Sequence, residues 1–252
     1  MVGFADSTLE LIPHANHGFE IIGDPFVVTK SDGHTIFQLD GKTAWKAWTE
    51  RLGLPVTTLV SDILAFAPLA KEIPEELHEE YGSRFLINGA MPYPDGSLRS
   101  ANLCPEGTKL WLTRRNEARI HDGVERLLIR ILDRSKGRKP VAVFHADCAA
   151  RGKLFFNRIM KEEIINQMQF PLCRGENIPW LGMYGGAEYT PLRGKNMFHQ
   201  YTTSLYVLVR KNLVVDKEKA MVKSDDVKGS KLFERSRLKN IELKNRFIYS
   251  AT

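Results

Sequence analysis

The 252-residue chain contains no run of eighteen apolar residues, so no membrane-spanning helix and no membrane partner are expected. Met1 to His17 lacks a basic segment followed by an apolar stretch, the pattern of a secretory leader. Cysteine is scarce: Cys104, Cys148 and Cys173 are odd in number and widely spaced, which excludes a disulfide scaffold and fits a reduced, cytoplasmic location. There is no CxxC and no HExxH. His145 and Cys148 form an HxxC, which supplies only two of the ligands zinc requires, so no metal site is expected. Gly185-Gly186 is not followed by the Lys-Ser/Thr of a phosphate loop. Internal repeats and low-complexity tracts are also missing.

Charge of one sign is missing from most of the chain. The formal net charge is +6, but Arg210 to Arg246 alone holds twelve basic and six acidic residues. Setting these aside leaves 24 of each sign, from totals of 36 basic and 30 acidic, so the body is neutral. A neutral body has no concentrated field for phosphates, and no nucleic-acid partner is expected. The basic excess reads as a solvated linker.

What is present is ordinary globular composition, 43% hydrophobic and 26% charged, enough for one large domain or about one and a half ordinary ones. The first twenty residues are polar and His-rich without a clear period, and His14, His17 and His34 read as solvated. Phe26 to Thr29 and Thr35 to Leu39 read as a hairpin around Ser31-Asp32-Gly33-His34. Lys42 to Leu52 reads as a helix, with Trp45 and Trp48 on its core face and Gly53 as its C-cap. Val60 to Ala67 fits strand or helix. Pro74 to Tyr81 suits a short helix, Arg84 to Asn88 a strand, and Pro92 to Gly96 a turn. Leu98 to Leu103 and Lys109 to Leu112 are candidate strands. Glu117 to Leu132 is the clearest helix, with Ile120, Val124, Leu127, Leu128 and Ile131 on one face. Val141 to Phe144 reads as a strand, Leu154 to Gln169 as a helix, and Pro179 to Tyr184 and Tyr201 to Val209 as strands. This order predicts an α+β fold: mixed, largely antiparallel sheets covered by helices.

Three segments carry a resemblance: Val141 to Gly152, with Cys148-Ala149-Ala150-Arg151 after an apolar strand; Leu181-Gly182-Met183-Tyr184-Gly185-Gly186-Ala187-Glu188-Tyr189; and Phe198 to Thr203. Together they resemble the C-terminal part of the FIST family, a sensory domain found in signal-transduction proteins and some F-box proteins. Its members show a strand ending in Cys-x-x-Arg, a helix, a Gly-Phe-Tyr-x-x-Gly-Glu segment and a polar entry to a last strand. Ala187 departs from the usual glycine. The segment from Val27 through Ala44 looks like the join between the family's two halves. The resemblance covers about residues 20–210, which makes 1–20 a remnant of a preceding N-terminal half, 21–210 a FIST C-terminal domain and 211–230 a charged linker. Leu232-Phe233-Glu234, Leu238 to Ile248 and Ser250-Ala251-Thr252 resemble the opening of the old yellow enzyme family, so that 231–252 would be the truncated first strand of a flavin-dependent barrel.

The FIST resemblance implies a small-ligand sensor, amino acids among the ligands, with no catalytic residue or cofactor of its own and a fused or interacting output protein. Its ligand-binding residues map to Cys148, Arg151, Gly152, Tyr184, Gly185, Gly186 and Glu188. Arg151 beside a strand-to-helix turn suits a ligand carboxylate, and Glu188 suits an ammonium. The bland readings are a packing thiol at Cys148, a turn-capping Arg151 and a solvated Glu188. A reactive Cys148 with His145 as base is the catalytic reading, and packing is preferred to it because no oxyanion partner can be named. The tail resemblance implies a longer fusion using FMN and NAD(P)H, with Ser250, Ala251 and Thr252 against the flavin. A protein–protein adaptor without ligand is the third reading.

Overall fold

The computed structural model describes residues 6–64, 66–151, 163–211, 236–238 and 241–243. Two sheets organise the chain. The first contains β1 (Leu9–Asn16), β10 (Pro140–Cys148), β11 (Trp180–Gly185) and β14 (Thr203–Arg210) in the order β1-β14-β10-β11. Only the β10–β11 pair is parallel. The second sheet is antiparallel and built from β2 (Phe19–Asp32), β3 (Thr35–Leu39), β4 (Lys42–Thr43), β5 (Leu69–Glu72), β6 (Phe85–Asn88), β7 (Ala90–Pro92), β8 (Leu98–Ser100) and β9 (Lys109–Arg115). Its order is β6-β5-β9-β2-β3-β8-β7, with β4 on β3. The strands at the two ends of that order, β6 and β7, are separated in the chain by Gly89 alone, so the sheet curls nearly into a barrel. The expected α+β class and its largely antiparallel sheets are what the structure shows.

Local chemistry accounts for the elements. The β2–β3 hairpin turns through Gly33 and His34, with Gly33 at φ +57°, the left-handed entry that a two-residue turn needs. Helix α1 (Ala44–Arg51) follows β4 and closes the curled sheet. Trp45 and Trp48 pack edge to face, 5.7 Å apart, in a core with Phe26, Val28, Ile36, Leu69, Leu98 and Leu110. Both tryptophans are core anchors, as their helical spacing indicates. Val60–Leu64 forms α2, which resolves the ambiguity there, and His78–Tyr81 forms α3 behind a short 3-10 turn.

Helix α4 (Glu117–Ser135), N-capped by Asn116, covers one face of the first sheet. Its Val124, Leu127 and Ile131 meet Ile12, Val143, Leu205 and Val207. Two glycines allow its close seat on the corner between β1 and β2. A Cβ at Gly18 would stand 2.2 Å from Ile120 Cα, and one at Gly123 would stand 2.3 Å from the His17 carbonyl oxygen. A π-helical stretch, Glu163–Gln169, runs into α5 (Phe170–Cys173) beside α4. Most of the helix expected over 154–169 lies outside the described residues.

The first twenty residues overturn their expectation. Among the described ones, Leu9–Asn16 form β1 and Phe19 begins β2, and His14 and His17 are buried rather than solvated. Hydrogen bonding explains how a histidine replaces an apolar residue here. The Phe19 amide donates to His17 Nδ1 at 3.1 Å, so Nε2 carries the proton and donates to the Phe85 carbonyl at 3.0 Å. His34 is exposed, as expected. The hairpin β12 (Glu188–Leu192) and β13 (Lys195–His199) was not foreseen; it turns on Arg193 and Gly194, both at positive φ, and lies against the face of the first sheet opposite α4. In the tail, Ser236–Leu238 and Ile241–Leu243 pair as β15 and β16.

Candidate functional site

Strands β10 and β11 run parallel, so their carboxyl ends open on the same rim. Register sorts their side chains. His145 pairs with Gly182 and Leu205, and Asp147 with Tyr184 and Thr203, so these residues share the α4 face. Cys148 pairs with Gly185 and faces the other side. His145, three residues from Cys148 on one strand, therefore points away from it and is not placed to act as its base. His145 Nε2 instead meets Thr203 Oγ1 at 2.8 Å.

On the α4 face the rim borders a half-open cavity of about 230 Å³ lined by His145, Asp147, Ile164, Trp180, Gly182, Met183 and Tyr184. Gly182 contributes space: a Cβ there would come no closer than 3.9 Å to any neighbour, its nearest being His145 Nδ1. Trp180 stands edge-on to His145. Asp147 is buried, and Arg151, 1% exposed, approaches its Oδ1 through Nη1 at 3.3 Å. Arg151 Nη2 also reaches the Ile120 carbonyl of α4 at 3.5 Å, and its amide closes a turn on the Cys148 carbonyl at 2.8 Å.

The opposite side of the rim is closed. The Cys148 amide donates to the Thr202 carbonyl, and the Ala149 amide to the Gly185 carbonyl, both at 2.9 Å. The Cys148 thiol lies 3.9 Å from the Gly186 carbonyl oxygen, and burial, Glu188 and Asp147 push its pKa up to about 11. A thiol so held is protonated at neutral pH, which is the packing role. Glu188 is 3% exposed; Thr202 Oγ1 donates to its Oε2 at 2.8 Å, and Oε1 has no hydrogen-bond partner among the described residues. Burial, reinforced by Asp147 and opposed by Thr202 and Arg151, raises the Glu188 carboxyl to about 8. It is therefore largely uncharged at neutral pH. It faces His199 across the β12–β13 hairpin.

The structure thus brings Cys148, Arg151, Tyr184, Gly185, Gly186 and Glu188 to one rim, while Gly152 lies outside the described residues, as do Ser250, Ala251 and Thr252. Only Tyr184 of the expected set lines the cavity. Arg151 and Glu188 are both buried, and the cavity is walled by neither. Asp147, Trp180 and Gly182 were missed, although the alternation of His145 and Asp147 along an apolar strand already places both on one face. No cluster of three metal-ligating side chains occurs among the described residues, and no helix among them is long and apolar enough to cross a membrane.

The buried titrating groups set a pH profile. His14, His17 and His199 are each lowered to about 4, chiefly by burial, with Arg134 and Arg130 acting on His14 and Arg126 on His17. Lowered histidines contribute stability above their ordinary value of 6.5, and it is lost as pH falls towards 4. Glu188, raised, contributes stability below 4.5, and it is lost as pH rises to about 8. Three groups oppose one, so stability should peak near pH 6.5–7, fall steeply on acidification and fall gently up to pH 8. Urea midpoints at half-unit steps would show it, and a midpoint constant between pH 4.5 and 6.5 would contradict neutral burial of the histidines.

Family models match the chain in two adjoining blocks, a FIST N domain over residues 1–42 and a FIST C domain over residues 44–191. No curated protein and no solved structure matches.

Proposed function

The chain belongs to the FIST family of sensory signal-transduction domains, and from that footing we propose that it senses a small polar metabolite of the amino-acid class, seated at the rim of β10 and β11. The observation that carries this reading is the half-open cavity with a buried carboxylate, Asp147, in an otherwise largely aromatic and apolar wall. At about 230 Å³ it lies below the roughly 300–1,000 Å³ of pockets for drug-sized ligands, which favours a metabolite of few atoms over a nucleotide. Asp147 takes the ligand ammonium, and Trp180 and Tyr184 flank it. Arg151 stands behind Asp147 and holds it in place. Glu188, uncharged at neutral pH, is the weaker partner for a cation. Binding biases the output protein to the extent that the ligand prefers one of its states.

Thermal-shift titration against the twenty amino acids tests the proposal. A ligand present at a hundred times its Kd should stabilise the fold by about 2.7 kcal/mol. Gly182→Val, which meets no close neighbour, should fill the cavity and remove the shift while leaving the fold intact. Asp147→Asn should weaken ligands that carry an amine. No shift from any of the twenty, or a shift unchanged in Gly182→Val, refutes the site.

A further inference from the structure

Arg126, Arg130, Arg134 and Arg138 succeed one another at four-residue intervals, the first three on α4 and the last just beyond it. Their contacts run down β1 in reverse order. Arg138 pairs with Glu10 at 2.6 Å, and Arg134 Nη1 donates to the Pro13 carbonyl at 3.1 Å. The charges of Arg130 and Arg134 reach His14, and that of Arg126 reaches His17. The arginines thus form a ridge along the β1 side of the helix.

Three of them lack a paired carboxylate among the described residues, although the charge of Arg134 is felt by Glu10, the partner of Arg138. Among the described residues, Arg126, Arg130 and Arg134 form no ion pair. Nearby acids do not supply one: Asp122 meets Arg119, and Glu125 and Asp133 are exposed without an ion pair. The histidines beneath the ridge are kept neutral by burial. Arg134 is exposed, and Arg126 and Arg130 are half-buried. Aligned guanidiniums without carboxylates cost repulsion, which a docked anion relieves.

The spacing accommodates an extended acidic chain. Four residues of helix rise about 6 Å. Alternate residues of an extended strand, whose side chains share one face, lie about 6.6–6.8 Å apart. Three arginines on this rise therefore meet three acids spaced i, i+2, i+4, with a cumulative mismatch of about 1.5 Å that an arginine side chain absorbs. We propose that the arginine ridge of α4 docks an extended segment of a partner protein that carries acidic residues at every second position. Each contact is a charge-assisted guanidinium–carboxylate pair, and the docking weakens as salt rises. The ridge is separate from the ligand cavity, so this inference stands whether or not that cavity binds a metabolite.

The test is fluorescence anisotropy on the whole chain at low salt, with a labelled nine-residue peptide alternating Glu and Thr. A peptide of the same composition with its glutamates contiguous, and an oligothymidylate of equal charge, serve as competitors. The alternating peptide should bind at least tenfold tighter than either. Arg130→Glu should reduce its affinity at least tenfold, and the triple lysine variant at 126, 130 and 134, which keeps the charge but loses the fork, should bind less tightly than the parent. Far-ultraviolet circular dichroism confirms that each variant is folded; should Arg130→Glu not fold, Arg134→Glu, at an exposed position, replaces it. Equal affinity for contiguous and alternating peptides, tighter binding of the oligonucleotide, or unchanged affinity in the folded glutamate variant overturns the proposal.

Discussion

Arg151→Ala should cost about 3–5 kcal/mol of stability, the range for removing one partner of a buried ion pair. The guanidinium is 1% exposed and lies 3.3 Å from Asp147. Alanine removes the guanidinium from beside that buried carboxylate, and removes the Nη2 donor from the Ile120 carbonyl. The larger part of the loss is the cost of keeping the Asp147 charge buried without the guanidinium, rather than the missing contact. Adding Asp147→Asn to Arg151→Ala should therefore recover part of the stability, because a neutral amide tolerates burial better than a carboxylate. Urea unfolding of the wild type, both single variants and the double variant closes the cycle. A loss below about 1 kcal/mol for Arg151→Ala would place the pair among exposed ion pairs and contradict its burial.

A loss of similar size, about 3–5 kcal/mol, is expected for Trp48→Ala in the other sheet. Trp48 is fully buried, its Nε1 donates to the Ala67 carbonyl at 3.2 Å, and its ring meets that of Trp45. Truncation opens a cavity between α1 and the curled sheet and leaves that carbonyl without its indole donor. Trp48→Phe should cost less, since most of the volume is retained and only the hydrogen bond is lost. If Trp48→Ala were to unfold at the wild-type urea midpoint, α1 would not be the plug of that sheet. Since the cavity by Asp147 belongs to the first sheet, the folded fraction of Trp48→Ala should still bind ligand.

What the sequence disclosed depended on how locally each element is specified. The β2–β3 hairpin, α1, α4, β10, β11 and β14 follow from apolar period and turn residues within their own spans. β1 could not be read that way. Its buried His14 and the adjoining His17 look polar, and His17 is accommodated by Ser83 and Phe85, which lie 66 and 68 residues away. The β12–β13 hairpin was hidden by Pro191 inside a strand and by a turn whose first central residue is Arg193 rather than glycine or asparagine. At the rim, the spacing of Cys148, Arg151 and Glu188 was visible because it follows a family pattern. Which of them faces open space was not, because that depends on sheet register and on Ile120 of α4, a segment that no local motif ties to β10.

The glycine seat of α4 has a mechanical consequence. At Gly18 and Gly123 the backbones meet with only hydrogens between them, so the helix cannot slide lengthwise across that corner, although it can tilt about it. From Gly123 to Ser135 the helix extends about 18 Å at 1.5 Å per residue, all on one side of this fulcrum. The Arg151 contact at Ile120 lies at this seat itself, where Gly18 meets the helix. Any tilt about the seat therefore moves Arg134 far more than it moves Ile120, so the Asp147 side of the sheet stays fixed against the helix while the far end swings.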